Sequence, residues 1–138
     1  MAITQAIPTS FKAEILRGIH DSADTYKMAL YTSAATLGAT TTAYSATNEV
    51  VGTGYTIGGT TLSGFNVTTS GTTAILDFND PSWANATITA RGALIYNSSK
   101  SNKAVYVLDF GSDIISTNGT FAITLPTPDA TNGLIRLG

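Results

Sequence analysis

Two groups of oxygen-bearing side chains are spaced closely enough to act together. Asp77, Asn79 and Asp80 form one, and Asp109 and Asp113 the other. Oxygen ligands at such spacing could hold Ca²⁺, and a carboxylate pair could supply the acid and base of glycoside hydrolysis. The full EF-hand loop is absent, nothing in the sequence sets the separation of the carboxylates, and solvated turns account for them equally well. His20 is the only histidine, and the chain has no Cys, so His20 would have to serve alone as base for a Ser or Thr nucleophile. Its place at the end of an expected helix suits contact with free carbonyls instead. The stretch GTGYTIGG, Gly52 to Gly59, has the glycine content of a phosphate loop. Such a loop must lead from a strand into a helix with a Lys at hand, and no Lys lies near. Trp83 and the six Tyr can plug a core, anchor an interface or stack on a sugar ring. We therefore expect no catalytic residue, no cofactor and no metal.

Strands must position these groups. Ser82 to Thr124 organises the chain, because its apolar residues fall into short runs separated by Gly, Asn and Ser, the pattern of consecutive antiparallel strands. Within it we expect strands over Ala86–Ala90 and Ala93–Tyr96, with Arg91-Gly92 as a bulge or bend inside one continuous strand. A polar turn over Asn97–Asn102 leads to a strand over Ala104–Phe110. Ile114-Ile115 and Thr120–Leu125 flank Asn118-Gly119, a strong hairpin signal. Upstream, Ser10 can cap a helix over Ser10–Ile19, whose Phe11, Ile15, Leu16 and Ile19 form one apolar face. Tyr26–Thr32 alternates as a strand, and Thr42–Val51 can form a second short helix closed by Gly52. Phe65–Thr69 and Thr73–Phe78 are strands around Ser70-Gly71, and Leu134–Leu137 is a closing strand. Eight to ten short strands with at most two short helices indicate an all-β fold, a β-sandwich or jelly-roll.

A chain of 138 residues is the size of one domain and can fold without staples. We divide it into an N-terminal arm, 1–9, and a single β-sandwich domain, 10–138. A net charge of −2 and a pI near 5.0 argue against nucleic acid as a partner, which needs a basic stripe. The opening residues lack a basic region followed by a long apolar run, and no stretch of about 18 apolar residues could span a bilayer, so no membrane partner is expected. Between Lys27 and Asp77 the only charged residue is Glu49. A free monomer mixes charges over its surface, so this hydroxyl-rich, neutral segment is easier to understand as a protein contact.

Three segments carry a resemblance: ALYTSAATLGATTTAYSATNEVVGTGYTIGGTTL (Ala29 to Leu62), ATITARGALIYNSSKSNKAVYVLDFGSD (Ala86 to Asp113) and STNGTFAITLPTPDATNGLIRL (Ser116 to Leu137). They resemble a group of small virion proteins of tailed bacteriophages, some of which look like capsid cement or decoration proteins. The resemblance implies a structural role on the capsid exterior, in a protein made in the host cytoplasm. Its implied partners are the major capsid protein and a second or third copy of itself, as homodimer or homotrimer. Contact is expected from the N-terminal arm and the neutral Ala34–Gly64 segment, with Ile3, Ile7, Tyr44, Val50, Tyr55 and Ile57 as interface residues. A tail, baseplate or fibre component, in one version a glycan-binding module using Trp83 or an exposed Tyr, is the alternative that the Thr-, Gly- and Asn-rich composition leaves open.

Overall fold

A computed structural model of the chain describes residues 2–137. Its one α-helix among these residues is α1, Thr9–Leu16. Seven strands follow: β1 (Tyr26–Tyr31), β2 (Thr60–Thr61), β3 (Asn66–Ser70), β4 (Thr73–Asp77), β5 (Ser82–Asn97), β6 (Lys103–Ala122) and β7 (Ile135–Leu137). They make two antiparallel sheets, one in the order β2-β1-β5-β6 and one in the order β3-β4-β7. The protein is therefore all-β.

The long hairpin of β5 and β6 is the centre of the molecule. Its turn sits where the sequence places it. Lys103 N–H donates to the Lys100 carbonyl at 3.2 Å, and Ser101 and Asn102 take φ values of 56° and 58°, the left-handed pair that a tight two-residue hairpin turn requires. β5 runs through Arg91-Gly92 as one continuous strand; the register shift between Ala90 and Gly92 comes from extra residues on β6, where Phe110 to Asp113 face Arg91 and Gly111 takes φ 81°, so the bulge lies on the partner strand and not at Arg91-Gly92. β1 pairs with the half of β5 nearest the turn, Tyr26 opposite Asn97 through Tyr31 opposite Gly92. Both faces of this part of the sheet are buried. Met28, Leu30, Ile95 and Val105 enter the larger core, whereas Ala29, Tyr31, Leu94 and Tyr96 enter a second one. That explains the continuous apolar runs of MALY and GALIY, since a strand covered on both sides has no polar face to alternate with.

Ile3, Ala35 and the partly buried Leu37 and Tyr44 supply the cover over the second core. The N-terminal segment, expected as an arm in contact with a partner, is instead built into the monomer over its described part. Ile3 bridges Leu37, Ala6 bridges Val107, and Thr4 N–H donates to the Leu37 carbonyl at 2.9 Å. Its apolar residues have a sheet face to cover, which an extended arm would leave wet. Met1 lies outside the described residues.

Other expectations change as well. Thr42–Val51 is not a helix. Its backbone is committed elsewhere: Tyr44 N–H donates to Asn102, the Thr42 carbonyl accepts from Ala104, and Val50 N–H donates to Leu30. The segment has no apolar stripe to outweigh those bonds. Asn118-Gly119 is not a hairpin turn but a bulge inside β6. Asn118 has φ 53°, and the ladder slips between Ala86, opposite Gly119, and Ile88, opposite Ser116. A left-handed Asn serves a bulge as readily as a turn, and β5 is long enough to hold the strand straight. Two long strands thus absorb five expected short ones. α1 ends at Leu16 rather than Ile19, because Gly18 at φ 70° closes it. Ile19 N–H reaches the Glu14 carbonyl and Gly18 N–H the Ile15 carbonyl, the paired bonds of a Schellman ending. Pro8, not Ser10, holds the N-cap position, and Leu16 is 89% exposed, so the buried face is Phe11, Glu14 and, in part, Ile15.

Glycine at one position is dictated by close approach. Gly59 has φ 82°, and a Cβ there would lie 1.8 Å from the Met28 carbonyl oxygen. Gly59→Ala is expected to lower stability by about 3 kcal/mol or more, read as a lower denaturant midpoint at unchanged slope. A wild-type midpoint in that variant would show that the loop does not press on β1 as described.

Candidate functional site

Two polar clusters are built into the monomer; His20 of the second also borders an apolar cavity of about 140 Å³ whose other walls include Phe11, Ile15, Tyr26, Phe65, Ile75 and Ile135. The first surrounds Glu49, which is 5% exposed. Its Oε1 accepts from the Tyr44 hydroxyl at 2.5 Å, and its Oε2 accepts from the Tyr55 hydroxyl at 2.5 Å and from Gly58 N–H at 2.7 Å. The Tyr55 oxygen in turn accepts from Leu30 N–H at 2.9 Å, which leaves its own proton free for Glu49. Tyr96 closes the arrangement from the sheet, donating to the Gly58 carbonyl at 2.6 Å while its ring stacks on Tyr44 with centroids 4.6 Å apart. Burial raises the Tyr31, Tyr44, Tyr55 and Tyr96 hydroxyls above their ordinary value, and the Glu49 charge adds to this for each. These phenols are held as donors. They tie the loop after β1 to the sheet.

The second cluster runs from α1 across the end of β5. Because the Schellman turn folds the chain back, His20 lies beside Glu14, with Nε2 and Oε1 2.9 Å apart, and its ring rests on Phe11 at 4.8 Å between centroids. Asn97, fully buried, accepts from Ser99 N–H through Oδ1 and donates through Nδ2 to Asp24 Oδ2. The same Nδ2 stands 3.0 Å from His20 Nδ1. With the amide fixed by Ser99, His20 Nδ1 must accept, and the ring proton sits on Nε2, facing Glu14. Burial alone would raise the Asp24 carboxyl, but hydrogen bonds from Asn97, Lys100 and the Asp21 backbone outweigh it and hold the group below the usual carboxylate value. His20 is thereby occupied on both nitrogens, with no hydroxyl nucleophile among its partners.

The other candidate chemistries are dispersed. Asp80 accepts from Leu125 N–H, and Asp109 pairs with Arg91 at 3.2 Å and accepts from Gly111 N–H. Asp77 Oδ1 is buried without a partner in the structure. No group of three or more His, Cys, Asp or Glu stands together among the described residues. The GTGYTIGG loop packs on the sheet; a Cβ on Gly52 would meet the Thr87 carbonyl oxygen at 2.4 Å, and Gly58 N–H is taken by Glu49. Trp83 is buried against Phe121 and Tyr55, so it offers no open platform for a sugar ring. No helix among the described residues is long and apolar enough to cross a membrane.

Of the six residues expected at an interface, Ile57 alone is exposed, at 54%. Ile3 and Val50 are core residues with no surface for a partner, while Ile7, Tyr44 and Tyr55 are half-buried, the tyrosines as members of the Glu49 cluster. The structure exposes other residues of the same neutral Ala34–Gly64 segment and extends that surface through β3. Glu49 is the only charge between Lys27 and Asp77 and it is buried, so the surface contributed by residues 28–76 carries no charge at all. This surface includes Thr40, Thr42 to Ala43, Ser45 to Asn48, Val51, Ile57 and the whole of β3, all exposed. A lone Glu in an uncharged stretch between two tyrosines was the signal for the buried cluster. No family model, curated protein or solved structure matches the chain.

Proposed function

We propose that this protein is a structural component of a tailed-bacteriophage virion and acts as capsid cement, binding the assembled shell through its charge-free face. The observation that carries this is the burial of Glu49, which leaves residues 28–76 with a purely neutral exterior of hydroxyl, amide and small apolar groups. Such a surface loses little on desolvation and offers many hydrogen bonds, which suits a contact made of many modest terms. The resemblance of the Ala29–Leu62 and Ala86–Asp113 segments to phage virion proteins supports the same reading. Both sheets contribute to the larger core, Ile135 of β7 and the partly buried Leu76 of β4 beside Met28, Leu30 and Ile95, which fits a β-sandwich scaffold.

The mechanism is linkage. A protein that binds the closed lattice and not free subunits stabilises the shell by its binding free energy, about 2.7 kcal/mol per site at a hundredfold excess over Kd. Repetition over the lattice multiplies the effect. Particles lacking the protein are expected to release DNA at a lower temperature than complete ones, and adding purified protein back is expected to restore the difference. Unchanged release overturns the cement role. A copy number far below that of the shell subunits would move the protein to the tail or baseplate.

A further inference from the structure

A space is left between α1 and the small sheet. The cavity that His20 borders lies there, walled by Phe11 and Ile15 of α1, by Tyr26 at the start of β1 and by Val67, Leu76 and Ile135 of the small sheet. Close-packed interiors hold few voids larger than a water molecule. This one, of about 140 Å³, is roughly ten times the space that one water needs. It also reaches the surface. Val67 and Leu137, both on its wall, are 56% and 51% exposed, so part of the lining meets solvent directly.

The lining fixes the chemistry of an occupant. Only His20 and Tyr26 bring polar side-chain atoms to it, and all of these are engaged with the protein: His20 with Glu14 and Asn97, and the Tyr26 hydroxyl with the Asp21 carbonyl at 2.9 Å. The other lining side chains are hydrocarbon. Water needs about two to four polar partners and finds none free among these side chains, and a charged ligand would lose its hydration without replacement. Four of the lining side chains are rings, already in contact as two pairs: Phe11 with His20 at 4.8 Å and Tyr26 with Phe65 at 5.3 Å between centroids. Rings held in this way are pre-formed walls. An incoming ring gains edge-to-face and offset contacts with them that an aliphatic molecule of equal size does not. Volume sets the size, since a dry cavity of about 150 Å³ takes one benzene molecule. We propose that this cavity is a binding site for a small uncharged aromatic molecule, a single ring bearing at most a short alkyl group.

Purified full-length chain tests the site apart from shell binding, with toluene as the probe. His20 is the only histidine, so its ring protons report on the cavity without ambiguity in a proton NMR spectrum. Toluene is expected to shift those signals saturably, with a Kd of about 1 mM or tighter, and to raise the melting temperature. Cyclohexane is expected to bind about threefold or more weakly, and benzoate not to bind. Ala74→Leu puts hydrocarbon into the space and is expected to abolish the toluene shift while the melting temperature without toluene stays at or above that of wild type. Val67→Trp, at the exposed rim, makes the same test without entering the interior. The absence of a saturable shift at the solubility limit of toluene overturns the proposal and leaves the cavity to a side chain of another protein. A toluene shift that survives in a folded filling variant, or cyclohexane binding as tight as that of toluene, overturns it too.

Discussion

Glu49→Ala is expected to destabilise the protein by about 3–5 kcal/mol, and Glu49→Gln by only about 1–2 kcal/mol. The carboxylate sits away from any cation and is held by donors alone, the hydroxyls of Tyr44 and Tyr55 and Gly58 N–H. Alanine strands all three. Two of them cannot turn away: Gly58 N–H is backbone, and the Tyr55 oxygen is already taken by Leu30 N–H. Glutamine can keep its carbonyl where Oε2 stands and give its amide to Tyr44, whose hydroxyl is free to rotate and accept. Only the charge is then lost. For a chain of this length the alanine variant should melt about 10 °C or more below wild type, with the glutamine variant between them. Equal stability of alanine and wild type would show that the cluster contributes nothing. An alanine variant no worse than glutamine would show that the stranded donors find water.

The second large effect lies at alkaline pH. Burial raises the hydroxyl pKa of all six tyrosines, Tyr26 to about 12. In the unfolded chain they ionise near 10. Folded values above unfolded ones mean that the stability contribution is complete below pH about 10 and is lost as pH climbs through the folded values. Each buried tyrosine then removes about 1.4 kcal/mol per pH unit. Tyr26 and Tyr31, both more than nine-tenths buried and both strongly raised, together remove about 3 kcal/mol per unit over a window beginning at pH about 10, and the raised Tyr96 and Tyr106 act in the same direction. Unfolding should therefore be sharp within one to two units above that point. Tyrosinate absorbance is expected to rise in step with the loss of far-ultraviolet circular dichroism. A gradual rise beginning near pH 10, while the sheet signal is intact, would show that the rings titrate freely in the native state.

The division between what the chain displays and what it conceals follows from the range of the forces involved. The hairpin turn after Asn97 and the strands at Tyr26 and Thr73 depend on local backbone preference and alternation, and they read directly from the residues. Thr42–Val51 misleads because its conformation is set by partners from distant strands, Leu30, Asn102 and Ala104, whose identity no local pattern announces. Asn118-Gly119 misleads because a left-handed Asn has the same local form in a bulge as in a turn; only the length of β5 decides between them. The same holds for the candidate surface. Ile3 and Val50 look like exposed anchors in a neutral, polar neighbourhood, yet each lands in a core assembled from several segments. The charge-free character of residues 28–76 was visible, but the burial of its one charge was not, since that rests on Tyr44, Tyr55 and Gly58 converging from one loop.

The bridge between Ala6 and Val107 sets an order of events during synthesis. The ribosome delivers the N-terminal residues first, yet their hydrogen-bond partner on β6 is made only after most of the chain has emerged. β5 and β6, joined by a tight turn, close a short loop at little entropic cost and can pair as soon as both are outside. Until then Ile3 and Ile7 have no sheet to cover. This segment, made before its partner strand, thus waits to dock, and a ribosome stalled before Val107 would hold a protein whose second core has no lid.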